Sequence, residues 1–515
     1  MIGTIRSLIF ASVWIASVAS AHAAETQTQA PRPSVLFKEK TTLLSRIEPG
    51  ETFYPVSFQV SSDNAHVAYA GRRAEGMFAA MDRHRGPFCE GVAKGTPLFS
   101  RGEFHWAYIA YEGNQKAQAF IDGRPEMKCD GIDAFVFSPD GTRWAYRAAL
   151  QKKQALVASG VAGPLFDVVI PAGPVFGPHG RMAYGAVNGQ EKFMVVDGRP
   201  EPVGGIVQGI VFSPDGRRLA YAVKTRDHTS VTCDGQNGPA YQAVVQLTFS
   251  PDSKRLAYMA QKDNRWVAVI DGKEQEGGDQ VGMPLFSPDS LRCAYAIRTG
   301  GKWHVVADGI RGPACEELGV YLFSLDSSRL AYMAQNKQRG CVVVNGQPQA
   351  TYDSVGIPVF SPDGAQLAFQ ARLKDRWFIV QDGRAHAQAY DNVRLPVFSP
   401  DGRHLAYIGI DGNKMVMVLD EHPLGSYDSV TFPCFSPSGT HVAYAGCRQD
   451  RWRIFVDGQG GAAVFDASLK ESTILFGGDS NLSVVMLRMP GPEFWRLEVA
   501  VSAGALPPSG SAPQK

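Results

Sequence analysis

The sequence predicts an all-β chain, a β-propeller of about twelve four-stranded blades. Two observations carry this. A block such as Phe360-Ser361-Pro362-Asp363-Gly364 followed by Leu367-Ala368-Phe369 returns as Phe398-Ser399-Pro400-Asp401-Gly402 and Leu405-Ala406-Tyr407. Equivalent blocks begin at Phe137, Phe176, Phe212, Phe249, Phe286, Phe323 and Phe435, and degenerate ones at Val60, Phe99 and Phe476, a period of about 38 residues. Nowhere does a period show the 3.6-residue apolar stripe of a helix.

Each period carries four strand signals. An apolar run such as Pro358-Val359-Phe360 enters Ser-Pro-Asp-Gly, where Pro and Gly break the strand and force a turn. Leu-Ala-Tyr follows, as at Leu256-Ala257-Tyr258. A third run rich in Val and Ile, such as Trp377-Phe378-Ile379-Val380, ends in Asp-Gly or Asn-Gly, which tolerate the positive φ of a tight hairpin. The fourth signal is Tyr-Asp-x-Val, at Tyr352, Tyr390 and Tyr427. Trp266, Trp303, Trp377 and Trp452, at or near the start of the third strand, read as packing residues.

Phe476, Val484-Val485-Met486 and Trp495-Arg496-Leu497 supply three strands of the last blade. The fourth is expected from residues 34–54, ahead of the first repeat, which fastens a ring and removes an edge. Rings usually hold four to eight blades. The expected arrangement is therefore two six-bladed rings in tandem, 34–279 and 280–502, with one large ring, a seven-plus-five split or an open arc as alternatives. Residues 24–33 read as a polar linker, and 503–515, rich in Pro, Ser, Gly and Ala, as a disordered tail.

The first 23 residues read as a signal peptide. Arg6 precedes an apolar run, Leu8 to Ala19, and Ala21-His22-Ala23 is a small-x-small cleavage site, with the cut after Ala23. The run is shorter than the ~20 residues a membrane span needs, and no other segment is long and apolar enough. The first cysteine is Cys89, which argues against a lipoprotein anchor. The expected location is periplasmic or secreted. The 515-residue chain carries 51 Lys+Arg against 50 Asp+Glu, so no basic surplus draws it to nucleic acid.

Phe212-Ser213-Pro214-Asp215-Gly216 with Leu219-Ala220-Tyr221 resembles the propeller repeat of the TolB-type, Pro-Asp class of WD-like repeats, over about residues 56–500. The resemblance implies the fold and a habit of binding partners. The α/β domain that precedes the propeller in TolB has no counterpart in residues 24–55, so a Tol-Pal role is not implied. There is also no Gly-x-Ser-x-Gly elbow of the hydrolases that some such propellers gate.

The position before Leu in the second strand is repeatedly basic: His66, His105, Arg143, Arg181, Arg218, Arg255, Arg292, Arg329, His404 and His441, with Gln366 the exception. One reading is a ring of positive charge for an anionic ligand or glycan. The other is one local pair copied ten times, with the Asp of the preceding turn (Asp215, Asp252, Asp289, Asp326), and it needs no ligand. The four His invite a metal hypothesis, but equivalent atoms on neighbouring blades splay beyond ~2.0–2.1 Å metal–nitrogen distances. No metal, cofactor or catalytic residue is assigned, and the ligand-binding residues are left unknown. The eight cysteines are expected to be mostly free. Cys89, Cys129 and Cys315 take the Tyr position of Tyr-Asp-x-Val, Cys293 replaces a Leu, Cys341 takes the Trp position, Cys233 precedes Asp234-Gly235, and Cys434 with Cys447 is the most plausible pair.

The expected function is that of a non-catalytic binding scaffold for protein or cell-envelope ligands, acting through the loops and channel of one face. The alternative is a glycan- or lactone-directed enzyme with its site at a channel mouth.

Overall fold

The computed structural model describes residues 36–502 apart from 103, 114, 115, 172 and 471. The signal-peptide, linker and tail assignments lie outside those residues. Twelve sheets, each of four strand positions, follow one another around a ring. The described residues contain no α-helix, only 3-10 turns at Pro55–Ser57 and Pro178–Gly180.

Blade 5 shows the plan: inner strand Ile206–Phe212, second strand Leu219–Lys224, third strand Thr229–Cys233 and outer strand Gln236–Tyr241, all antiparallel. The Pro-Asp-Gly turn is set by its own side chains. Ser213 Oγ donates to Asp215 Oδ1 at 2.6 Å and accepts the Arg218 amide at 2.9 Å, while the Gly216 amide donates to the Ser213 carbonyl at 2.8 Å. The Ser213 hydroxyl and the Arg217 amide together hold the Asp215 carboxyl below the usual carboxylate range. Tyr-Asp-x-Val straddles two blades: Tyr352 ends the outer strand Gln347–Tyr352, and Asp353 leads into the next inner strand at Ser354–Val355.

Closure is as expected. Leu36–Arg46 forms the outer strand of blade 12, pairing with Glu493–Ser502 from Leu36↔Ser502 to Arg46↔Glu493, with a bulge between Leu43 and Ser45.

The ring is single, not two rings of six. Blade 6 packs on blade 7 through Ala257, Ile270, Phe286, Cys293 and Tyr295, as blade 5 packs on blade 6 through Ala220, Val231, Val244, Leu256 and Tyr258. Blade 12 packs on blade 1 through Val485 and Phe494 against Phe58, Val67, Tyr69 and Phe78. The seam at residue 280 is thus one of twelve. The physical reason lies in side-chain size. Twelve blades need a wedge of only about 30° between neighbours. Small residues recur at the seams on both middle strands: Ala68, Ala220, Ala257, Ala331 and Ala443 on second strands, Ala79, Ala119, Ala155 and Ala268 on third strands, all fully buried. Residues this small let neighbouring sheets pack closely, as a narrow wedge requires.

Candidate functional site: an apolar arc on the channel wall

Four of the repeated arginines turn out to be clamps between blades. Their acid partner is not the Asp of the preceding turn but the Asp of the Asp-Gly hairpin in the same blade. Arg181, Arg218, Arg255 and Arg292 donate through Nε to Asp197, Asp234, Asp271 and Asp308 at 3.2, 2.8, 2.9 and 2.8 Å. Each also donates through Nη1 to a turn carbonyl of the next blade, of Gly216, Ser253, Ser290 and Ser327 respectively. Each guanidinium lies 5.0–5.2 Å from the ring centre of the next blade's Phe212, Phe249, Phe286 or Phe323. Gln366 makes the same reach to the Gly402 carbonyl at 3.0 Å. With Nε on an aspartate and Nη1 on the next blade's turn, these four Arg are committed to the blade seams and do not form a free anion-binding ring; half-exposed pairs of this kind contribute about 0–1 kcal/mol each.

The four His behave alike. Nδ1 of His66, His105, His404 and His441 meets Oδ2 of Asp82, Asp122, Asp420 and Asp457 at 2.6–2.7 Å, each within its own blade. They do not converge on one point. The Asp420 hydrogen bond raises the His404 pKa above the usual histidine value, against its burial. A raised native pKa adds stability that is fully present below the unfolded value of about 6.5 and is lost as pH rises through the native value. His404→Gln, which copies blade 9, should therefore flatten the fall of the melting temperature between about pH 6 and pH 8; a melting series on both proteins reads this directly.

All eight cysteines are free. Cys434 stands opposite Ala443, and Cys447 opposite Ser429 and Trp452, so the pair does not meet. Gly340, not Cys341, holds the Trp position, because Gln335↔Gly340 matches Gln261↔Trp266. Burial pushes the Cys293 and Cys315 thiols up to about 12 and about 11, which keeps them protonated and unreactive.

The feature that no residue-by-residue reading singled out lies on the inner strands. Each is interrupted near its middle. In blade 9 it splits into Ser354–Val355 and Val359–Phe360 around Ile357-Pro358. In blades 5, 6 and 8 it runs on, with a register shift at the same place. Proline cannot donate to the ladder, and a bulge likewise frees one residue from pairing. The residue three before the Phe of the repeat is thereby turned out of the sheet at its axial edge. In five consecutive blades, 7 to 11, that residue is large, apolar and exposed: Met283 46%, Val320 49%, Ile357 42%, Leu395 38% and Phe432 56%. In blades 3 to 6 it is Ala134, Gly173, Gly209 and Gln246, and in blades 12 and 1 Thr473 and Ser57. At this position the ring is therefore large and apolar in blades 7 to 11 and small or polar in blades 1, 3 to 6 and 12. A signal was present in the sequence: Met283-Pro284, Ile357-Pro358, Leu395-Pro396 and Phe432-Pro433 repeat one pattern.

The arc ends in a cleft of about 650 Å³ between the inner strands of blades 10, 11 and 12, lined by Phe398, Phe432, Cys434, Leu469 and Ile474 and edged by Arg394 and Lys470. The Arg394 guanidinium sits 5.9 Å from the Phe432 ring centre. Sheets stack about 10 Å apart, so twelve enclose an inner perimeter on the order of 100 Å. A small molecule cannot touch both walls of such a bore; a polypeptide can lie against one.

No family model matches the chain, and no curated protein matches it. Solved structures similar to it include a eukaryotic initiation factor, with 14% identity and TM-score 0.33 over 62% of this chain and 96% of that one. TolB from Acinetobacter baumannii has 14% identity and TM-score 0.23, over 51% of this chain and 78% of that one. The β-propeller domain of the trilobed protease from Pyrococcus furiosus has 10% identity and TM-score 0.25, over 46% of this chain and 90% of that one. Likeness at this level carries no argument about function, and the propeller architecture rests on the chain's own twelve sheets.

Proposed function

We propose that the protein is an exported, TolB-like propeller that serves as a non-catalytic scaffold, binding an apolar polypeptide segment of an envelope or secreted partner along one wall of its channel. The arc of Met283, Val320, Ile357, Leu395 and Phe432 is the observation that supports this reading. Exposed apolar residues that continue across five blades are a costly surface unless something covers them. Arg394 and Lys470 at the end of the arc favour a partner whose apolar segment is followed by acidic residues. Among the described residues no helix is long and apolar enough to cross a membrane, which fits a partner-binding role outside the bilayer.

The test compares the wild type with Ile357→Asn, Leu395→Asn and Phe432→Asn combined. These side chains are exposed, so the triple variant should melt within about 1 kcal/mol of the parent. A partner recovered from envelope extract by the wild type and absent with the variant supports the proposal. Equal recovery by both, or turnover of a sugar or lactone panel by the purified protein without any partner, contradicts it. The apolar dye ANS should also bind the variant several-fold less well.

A further inference from the structure

We propose that the cleft between blades 3 and 4 binds a carboxylate carried on a short apolar body. The inference is independent of the channel arc and comes from a defect in the repeat's own clamp. In blades 4 to 7 the arginine ahead of the second strand meets an aspartate sixteen residues on. That aspartate uses its other oxygen to accept the amide that follows the arginine, as Asp197 does for Met182 at 2.9 Å and Asp234 for Leu219 at 3.0 Å. In blade 3 the arginine is Arg143, the following amide is that of Trp144, and the aspartate is replaced by Ser159.

A carboxylate is thus missing at a place where two donors are arranged to hold one. Arg143 keeps its reach to the Gly180 carbonyl of blade 4. Its Nε edge, which grips the acid in sibling blades, has no partner among the described residues. Ser159 Oγ is buried without a hydrogen-bond partner. Ser159 is one of the residues lining a cleft of about 570 Å³, together with Arg143, Arg181, Leu156, Val161 and Met182. The turn of blade 4 reads Phe176-Gly177-Pro178-His179-Gly180, with the Ser and Asp of the repeat both gone and a His present. The remaining acid in the lining, Asp197, is held by Arg181. Glu126, beside Gly160, makes no ion pair with Arg143.

Blade 8 is the instructive contrast. There Asn345 replaces the aspartate, but its side-chain oxygen still accepts the Leu330 amide at 2.8 Å. Only Ser159 is too short to serve either donor. A guanidinium edge and an amide set for the two oxygens of a carboxylate select that group, and the Leu156, Val161 and Met182 walls select an apolar remainder.

Calorimetric titration of the mature chain with hexanoate, hexanamide and inorganic phosphate tests this. Hexanoate should saturate a single site, and hexanamide should bind at least about ten-fold more weakly. Ser159→Asp restores the repeat's own acid, so it should melt no lower than the wild type and weaken hexanoate about ten-fold or more. Arg143→Gln, the residue used in blade 9, should do the same. Equal binding of the amide, unchanged binding by the Asp variant, phosphate binding as tight as hexanoate, or no hexanoate binding up to about 50 mM would each overturn the assignment.

Discussion

A chain that begins at Gly50, lacking Leu36–Arg46, should fail to form a stable ring. The eleven-residue strand completes blade 12, and its Leu44 and Ser45 are buried at the seam with blade 1. Ser45 Oγ lies 3.3 Å from the Tyr69 hydroxyl of blade 1. Without this strand, Glu493–Ser502 becomes an open edge, and the Phe494 ring, stacked on Phe58 at 4.5 Å between centres, loses its frame. The loss approaches the whole stability of an ordinary domain, about 5–15 kcal/mol. Far-ultraviolet circular dichroism and urea unfolding should show a broad, early transition or insoluble protein. A synthetic peptide of residues 36–46 added in trans should restore part of the cooperativity, and no rescue with an unaltered urea midpoint would contradict the closure.

Asp457→Ala should destabilise strongly, while Asp234→Ala should not. The two aspartates occupy the same repeat position. Asp457 is almost fully buried and holds the buried His441 at 2.7 Å and the Val442 amide at 2.9 Å. Removing it strands both donors away from water, a cost of about 2–4 kcal/mol. Asp234 and Arg218 stay half-exposed, and water takes over most of the lost pairing, leaving about 0–1 kcal/mol from the ion pair. Denaturant midpoints for the two variants give the comparison. Equal losses would show that burial does not grade the clamps.

Most of the architecture was legible in the sequence because it repeats. Pro-Asp-Gly turns, Asp-Gly hairpins and Leu-Ala-Tyr strands specify themselves locally, and the absence of an outer strand after Trp495 pointed to the N-terminal segment. Ring number was not legible, since it depends on a wedge angle summed over twelve seams, set by alanines such as Ala119 and Ala155 whose role appears only when two sheets are stacked. The clamp partner was misplaced for a related reason. Asp215 is near Arg218 in sequence, but its carboxylate already serves the turn, and the hairpin brings Asp234 to the arginine instead. The channel arc escaped notice because Ile357 or Leu395 looks like core in any single repeat; only its place at the axial edge exposes it.

The single closed ring is tested most directly by a pulsed electron-resonance distance between spin labels at His84 on blade 1 and Lys273 on blade 6, both at exposed hairpins. One ring of twelve sets these blades nearly opposite, at about 50 Å or more. Two rings of six would make them neighbours, at about 20–30 Å, and a distance in that range would contradict the account.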